Sequence, residues 1–256
     1  MRSASRGGPP AFRFARNLPL SASHRVLEKT YDAFLFDMDG TLIESTNADF
    51  LAWQKVFLDY GKNLTFNDYS PLLGKRSVAV VKDLLKITSE EERANALSNK
   101  SKYFFEVIEQ QGLKTVPFAK EFLKHLKTLH IPIALATSSR REKTKGVLQK
   151  VGMLSYFDAL VTAEDVINGK PFPEVFLKAA SLLNTPAEHC LVFEDAVSGI
   201  RAAKNAKMKC VALSCNSNSQ LLEEADMIIE NFEDLEFKEL CQKLNENKLS
   251  PVIQKF

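Results

Sequence analysis

The sequence predicts an α/β fold: a parallel sheet covered by helices on both faces, interrupted near its start by a helical insertion. Three observations carry this. From residue 131 onward, short apolar runs alternate with helical stretches, the pattern of strands joined by crossover helices. Residues 46–112 break that rhythm, with helix-period stretches and no strand pattern. The first apolar run, Phe34-Leu35-Phe36, stops abruptly at Asp37-Met38-Asp39-Gly40-Thr41-Leu42. A buried strand that ends on an acid delivers it to the edge of an open sheet, where such sheets bind ligands.

In order, the run at 34–36 is the first strand, and Gly40 lets the chain turn sharply after it. Amphipathic helices follow over about 46–60, 77–86 and 89–110. Ile131–Ala136 reads as a strand ending at Thr137-Ser138-Ser139, and a helix over about 140–151 stops near Gly152. Ala159–Val161 is a short strand. A helix begins after Pro173 and runs to about Asn184, before Thr185-Pro186. Leu191-Val192-Phe193 is a strand ending at Glu194-Asp195, followed by a helix over 197–206. Cys210–Leu213 and Met227–Ile229 complete the strands of a Rossmann-like core. The expected organisation is a tail or targeting segment at 1–28, a catalytic core from 29–45 and 113–256, and a helical cap at 46–112.

The composition is that of a globular chain: 256 residues, 45% hydrophobic and 26% charged. No apolar run approaches the roughly 18 residues of a membrane span. Five arginines (Arg2, Arg6, Arg13, Arg16 and Arg25) and no acid occupy residues 1–27. The remaining 29 Lys and Arg face 32 Asp and Glu, so the folded part is mildly acidic and gives no sign of a nucleic-acid surface. The Arg-rich start is either an organellar transit segment or a tail; Gly7-Gly8-Pro9-Pro10 disfavours a transit helix. Cys190, Cys210, Cys215 and Cys241 form no Cys-x-x-Cys pair and read as reduced thiols of an intracellular protein. The four histidines lie beside none of the acidic motifs, which argues against a zinc site or a histidine-based triad.

Two carboxylates at one strand tip repel, so a cation or a shared proton belongs between them. Thr41 and Ala48 at the fifth and twelfth positions argue against a calcium loop. Three further groups stand at strand ends or helix starts. Thr137 offers a short hydroxyl of the kind that binds a phosphate oxygen alongside backbone N–H groups. Lys170, in Gly169-Lys170-Pro171-Phe172-Pro173, is a cation placed just before a helix. Glu194-Asp195 is an acidic pair suited to Mg2+.

The order Asp-x-Asp-Gly-Thr, Thr-Ser-Ser, Gly-Lys-Pro, Glu-Asp resembles the four motifs of the haloacid dehalogenase-like hydrolases over about residues 31–240. The nearest likeness is to the small-cap subgroup of sugar-phosphate phosphatases and β-phosphoglucomutase-like enzymes. The resemblance implies that Asp37 is a phosphoryl-accepting nucleophile and Asp39 a general acid/base. It implies Mg2+ held by Asp37, the Asp39 backbone carbonyl, Asp195 and Glu194, with Thr137, Ser138 and Lys170 on the phosphoryl group. Gly74-Lys75-Arg76 is similar to the family's specificity loop, which makes Lys75 and Arg76 candidate substrate ligands. In the mutase branch a cap histidine and a phosphate-clamping arginine fall at Asp49 and Ser77, which favours a phosphatase. Lys207 stands where the family often has glycine, a cost of about 1 kcal/mol if the position is left-handed.

The expected function is Mg2+-dependent hydrolysis of small phosphorylated metabolites (sugar, polyol or nucleoside-like monophosphates), with a phosphomutase as the alternative. A phospho-accepting receiver and a non-catalytic scaffold are more distant; a receiver carries its acceptor after the third strand and lacks a helical insertion. The expected partner is a small phosphorylated metabolite, without nucleic acid or membrane, bound by a monomer or weak dimer in the cytoplasm, with an organelle as the alternative site.

Overall fold

The computed structural model describes residues 31–214, 222–233, 235, 240–242 and 244. The expectations for residues 1–28 and for Cys215 fall outside these. Six parallel strands form one sheet in the order β3-β2-β1-β4-β5-β6. They are β1 (Ala33–Phe36), β2 (Ile133–Ala136), β3 (Ala159–Val161), β4 (Cys190–Glu194), β5 (Lys209–Leu213) and β6 (Met227–Ile229).

The strand order reverses at β1, which lies between β2 and β4. Such a reversal opens a crevice at the carboxyl ends of the strands. Phe36 pairs with Phe193, so the residues after β1 and β4 are neighbours there despite their distance in sequence.

Side chains alternate across the sheet. Phe34 and Phe36 face one side, where Phe122, Phe193 and Phe232 join them; the rings of Phe36 and Phe193 stack 4.7 Å apart. Ala33 and Leu35 face the other side, against Val175, Phe176 and Ala179. The small residues Ala134, Ala136 and Ala212 on that face let helices α7 (Glu174–Leu182) and α8 (Val197–Asn205) lie close. Each large buried side chain contributes about 1.5–3 kcal/mol of hydrophobic stabilisation.

The insertion holds α1 (Thr46–Asp59), α2 (Phe66–Tyr69), α3 (Ser77–Val80, continued by a π turn over Val81–Leu85) and α4 (Glu90–Gln111). Its apolar cluster includes Trp53, Val56, Phe57, Val81 and Leu85. Ser89 accepts the Glu92 N–H at the start of α4, and three glutamates follow in its first turn, where the helix dipole favours them. Helix α6 (Arg141–Lys150) follows β2. The sequence reading missed α5 (Ala119–Thr128), although Phe122, Leu123 and Leu126 mark its buried face at helical spacing. The helix expected to reach Asn184 stops at Leu182, and Asn184 is left-handed with φ 52°.

Candidate active site

The tips of β1 and β4 bring Asp37, Glu194 and Asp195 together. All three are buried, and each offers an oxygen within 4.8 Å of the others'. Lys170 Nζ lies 2.6 Å from Asp37 Oδ1 and 2.5 Å from Glu194 Oε1. The second oxygen of Glu194 accepts the backbone N–H groups of Asp195 and Ala196 at 2.9 and 3.0 Å. Two glycines make this cluster possible. A Cβ on Gly40, which has φ +90°, would lie 1.9 Å from Asp195 Oδ2, and one on Gly199 would lie 1.7 Å from Glu194 Oε1.

Lys170 pairs with Asp37 and Glu194, so acids outnumber the lysine bonded to them at this tip. Burial pushes the Asp37 carboxyl up to about 7, with Lys170 opposing and Glu194 and Asp39 adding to the rise. Burial, Glu194 and Asp37 also raise Asp195 well above the usual carboxylate range. The same carboxylates outweigh burial at Lys170 and keep it charged. An all-oxygen donor set short of positive charge fits a hard divalent cation such as Mg2+.

Asp39, two residues on, sits in a different environment. Its Oδ1 accepts from Ser45 Oγ at 2.5 Å and from Lys143 Nζ at 2.7 Å, and its Oδ2 from Ser139 Oγ at 2.6 Å. Burial alone would raise its pKa, but Lys143 and the two hydroxyls bring it down to about 2. Lys143 also reaches Asp49 Oδ2 at 2.9 Å, and Lys100 bonds the other Asp49 oxygen. None of Lys143, Ser45, Ser139 and Lys100 was singled out from the sequence. One signal was available: Lys143 lies in the first turn of a helix, where a cation opposes the dipole unless a carboxylate holds it.

Between sheet edge and insertion lies a cavity of about 50 Å3, lined by Asp37, Asp39, Thr137 and Asp195 below and by Asp49, Trp53, Tyr69, Lys75 and Ser77 above. Thr137 is buried, and its hydroxyl accepts the Ser139 N–H at 3.0 Å. Ser138 Oγ donates to the Gly74 carbonyl at 2.8 Å, which ties the insertion loop to the core. Arg76 does not line this cavity. Its guanidinium donates to the carbonyls of Ile167 and Ala163 at 3.0 and 2.9 Å, so it clamps the segment before Lys170. Asp49 was read as an acid that repels a second phosphate; two lysines neutralise it, which removes that argument.

A parallel sheet presenting a buried carboxylate, a lysine and an acid cluster at one edge, under a helical insertion, is an arrangement suited to phosphoryl transfer. Residues 34–213 match the haloacid dehalogenase-like hydrolase family, and the chain belongs to it. It is 31% identical over 205 residues to validoxylamine A 7'-phosphate phosphatase of Streptomyces hygroscopicus subsp. limoneus, covering 80% of this chain and 96% of that one. It is 32% identical over 200 residues to the phosphorylated carbohydrates phosphatase of Thermotoga maritima, covering 75% and 90%. Among solved structures, β-phosphoglucomutase from Clostridium difficile superposes with a TM-score of 0.77 at 27% identity, covering 85% of this chain and 98% of that one. The chain is therefore an enzyme of this family, a phosphoric monoester hydrolase. No helix among the described residues is long and apolar enough to cross a membrane.

Proposed function

We propose that this enzyme hydrolyses the phosphate monoesters of small sugars, polyols or nucleoside-like metabolites through a phosphorylated Asp37, with Mg2+. The observation that carries the reading is the placement of Asp37 and Asp39 at the tip of a central strand, Asp37 against Lys170 and the acid cluster, Asp39 among proton-handling donors.

In the first step an Asp37 oxygen attacks phosphorus, the P–O bond to the substrate alcohol breaks, and Asp39 supplies the proton to the departing oxygen. In the second, water attacks the phosphorylated Asp37, Asp39 takes its proton, and inorganic phosphate leaves with the Asp37 carboxylate restored. The Asp39 environment seen here, three donors on a carboxylate, is the form that the second step uses. Lys170 and Thr137 hold the phosphoryl oxygens. Asp37, Glu194 and Asp195 would hold Mg2+, with the Asp39 carbonyl as a further ligand; when bound, it neutralises phosphoryl charge. Residues 46–112 act as a cap. The cleft between core and cap, lined by residues of both, is where the substrate would sit, with movement of the cap admitting it.

Release of inorganic phosphate from a panel of phosphorylated metabolites, with and without Mg2+, tests the reading; no release from any of them refutes it. A phosphomutase is the second reading. The neutralised Asp49 and the presence of Lys75 in the cleft favour it, since neither repels a second phosphate. Incubation with β-glucose 1-phosphate, Mg2+ and a trace of glucose 1,6-bisphosphate separates the two. Free phosphate without isomer supports the phosphatase; steady glucose 6-phosphate with little free phosphate supports the mutase.

A further inference from the structure

Asp39, Lys143, Asp49 and Lys100 form a chain of alternating charges assembled from four elements. Asp39 stands after β1 and Lys143 on α6, both in the core; Asp49 is on α1 and Lys100 on α4, both in the insertion. Lys143 and Lys100 are 6% and 5% exposed. The ring of Phe104 packs on both lysines, its centroid 4.4 Å from Lys143 Nζ and 5.0 Å from Lys100 Nζ. A buried lysine requires a carboxylate partner, and Lys143 has one on each side of the core–insertion boundary.

The pairing has a consequence for movement. If the insertion lifts, the chain parts between Lys143 and Asp49. That leaves Asp49 with Lys100 on one side and Asp39 with Lys143 on the other, two neutral pairs with no stranded charge. Closure adds the Lys143–Asp49 contact and seats the lysine that fixes one oxygen of Asp39, while Ser139 fixes the other.

We propose that Lys143 is a positioning residue for the second half of the reaction: it holds the Asp39 carboxylate turned to accept a proton and, through Asp49, ties that alignment to the docked cap. This rests on the phosphatase reading above. It assigns Lys143 a role through Asp39 rather than on the substrate, since Lys143 is absent from the cavity lining.

The test compares wild type, Lys143→Met and Lys143→Arg with p-nitrophenyl phosphate and Mg2+. The kcat/KM reports phosphorylation of the enzyme, whereas kcat reports the slower of the two steps. In Lys143→Met, kcat is expected to fall about 10–100-fold and KM to fall with it. The kcat/KM stays within about threefold, and a burst of p-nitrophenol appears as phosphoenzyme accumulates. Lys143→Arg, which keeps the cation, recovers part of the lost kcat. Equal losses in kcat and kcat/KM, or no loss in either, overturn the proposal. Hydrogen exchange needs no substrate: the first turns of α1 are expected to exchange faster in Lys143→Met, and unchanged protection overturns the tie to the cap. A wild type inactive on every phosphate ester refutes the phosphatase reading instead, and the exchange measurement still decides whether Lys143 holds the cap.

Discussion

Asp37 and Asp39 are two residues apart, yet their surroundings push them in opposite directions, one carboxyl to about 7 and the other to about 2. Around Asp37 three carboxylates gather, and one lysine bonds two of them. Around Asp39, two carboxylates meet two lysines and two hydroxyls. At the second site the fold supplies a lysine for each carboxylate, whereas at the first the acids outnumber the lysine bonded to them, an arrangement that suits a cation or a proton. On the proposed mechanism, one loop would then supply both a nucleophile that depends on a metal and a proton-transfer group that does not.

Removing each acid breaks the comparison most directly. Asp37→Asn is expected to lower turnover by at least about 10^4-fold, because the amide is neither a nucleophile nor a good cation ligand. Asp39→Asn is expected to lose about 10^2–10^4-fold while still binding Mg2+, since its carboxylate lies outside the acid cluster. Phosphate-release assays and Mg2+ titrations on both variants check this. Loss of Mg2+ binding in Asp39→Asn would show that the two sites are not separate, and substantial turnover in Asp37→Asn would remove it as the nucleophile.

The two sites also differed in how far the sequence revealed them. Asp37, Thr137, Lys170, Glu194 and Asp195 each end an apolar run or precede a helix, so local pattern marks them and parallel topology gathers them at one edge. The Asp39 environment has one local signal, Lys143 in the first turn of α6, and that does not say which carboxylate it meets. Its lysine, its serines and the partner Asp49 come from separate segments, and which side chains meet depends on how the insertion docks. Arg76 illustrates the same limit: its place in the specificity-like loop was legible, but not that its guanidinium turns to the Ala163 and Ile167 carbonyls. Lys207 was legible to the level of its dihedral, with φ 60°.

A smaller effect sharpens the contrast through pH. The folded pKa of Asp37, about 7, lies above its ordinary 3.8. The folded state then holds more protons than the unfolded one between about pH 4 and 7, and without metal this group makes the protein less stable as pH rises through that window. Asp39 acts oppositely, adding stability that is lost as pH falls from about 4 towards 2. Mg2+ competes with the proton on Asp37. Its stabilisation, roughly 2–3 kcal/mol at a hundredfold excess over Kd, is expected in full at pH 8 and much reduced at pH 5. Melting temperatures with and without Mg2+ at both values measure this; equal shifts at the two pH values would place the cation away from Asp37.

The smallest effect serves as the control for all of these. Lys207 is exposed and left-handed, in the turn after α8, with its N–H bonded to the Lys204 carbonyl at 2.9 Å. A side chain at that dihedral costs about 1–2 kcal/mol. Glycine relieves it but gives back part through a freer unfolded chain. Lys207→Gly should therefore stabilise by about 0.5–1 kcal/mol, a rise of roughly 1–4 °C in Tm for a chain of this size. It lies at neither aspartate, so kcat, KM and the Mg2+-induced shift should match wild type. If stability rises and the kinetics hold, activity lost at either aspartate reflects chemistry rather than a general loosening of the fold. If Tm falls instead, Lys207 makes a contact that outweighs its strain, and the left-handed turn is not the weak point that its dihedral implies.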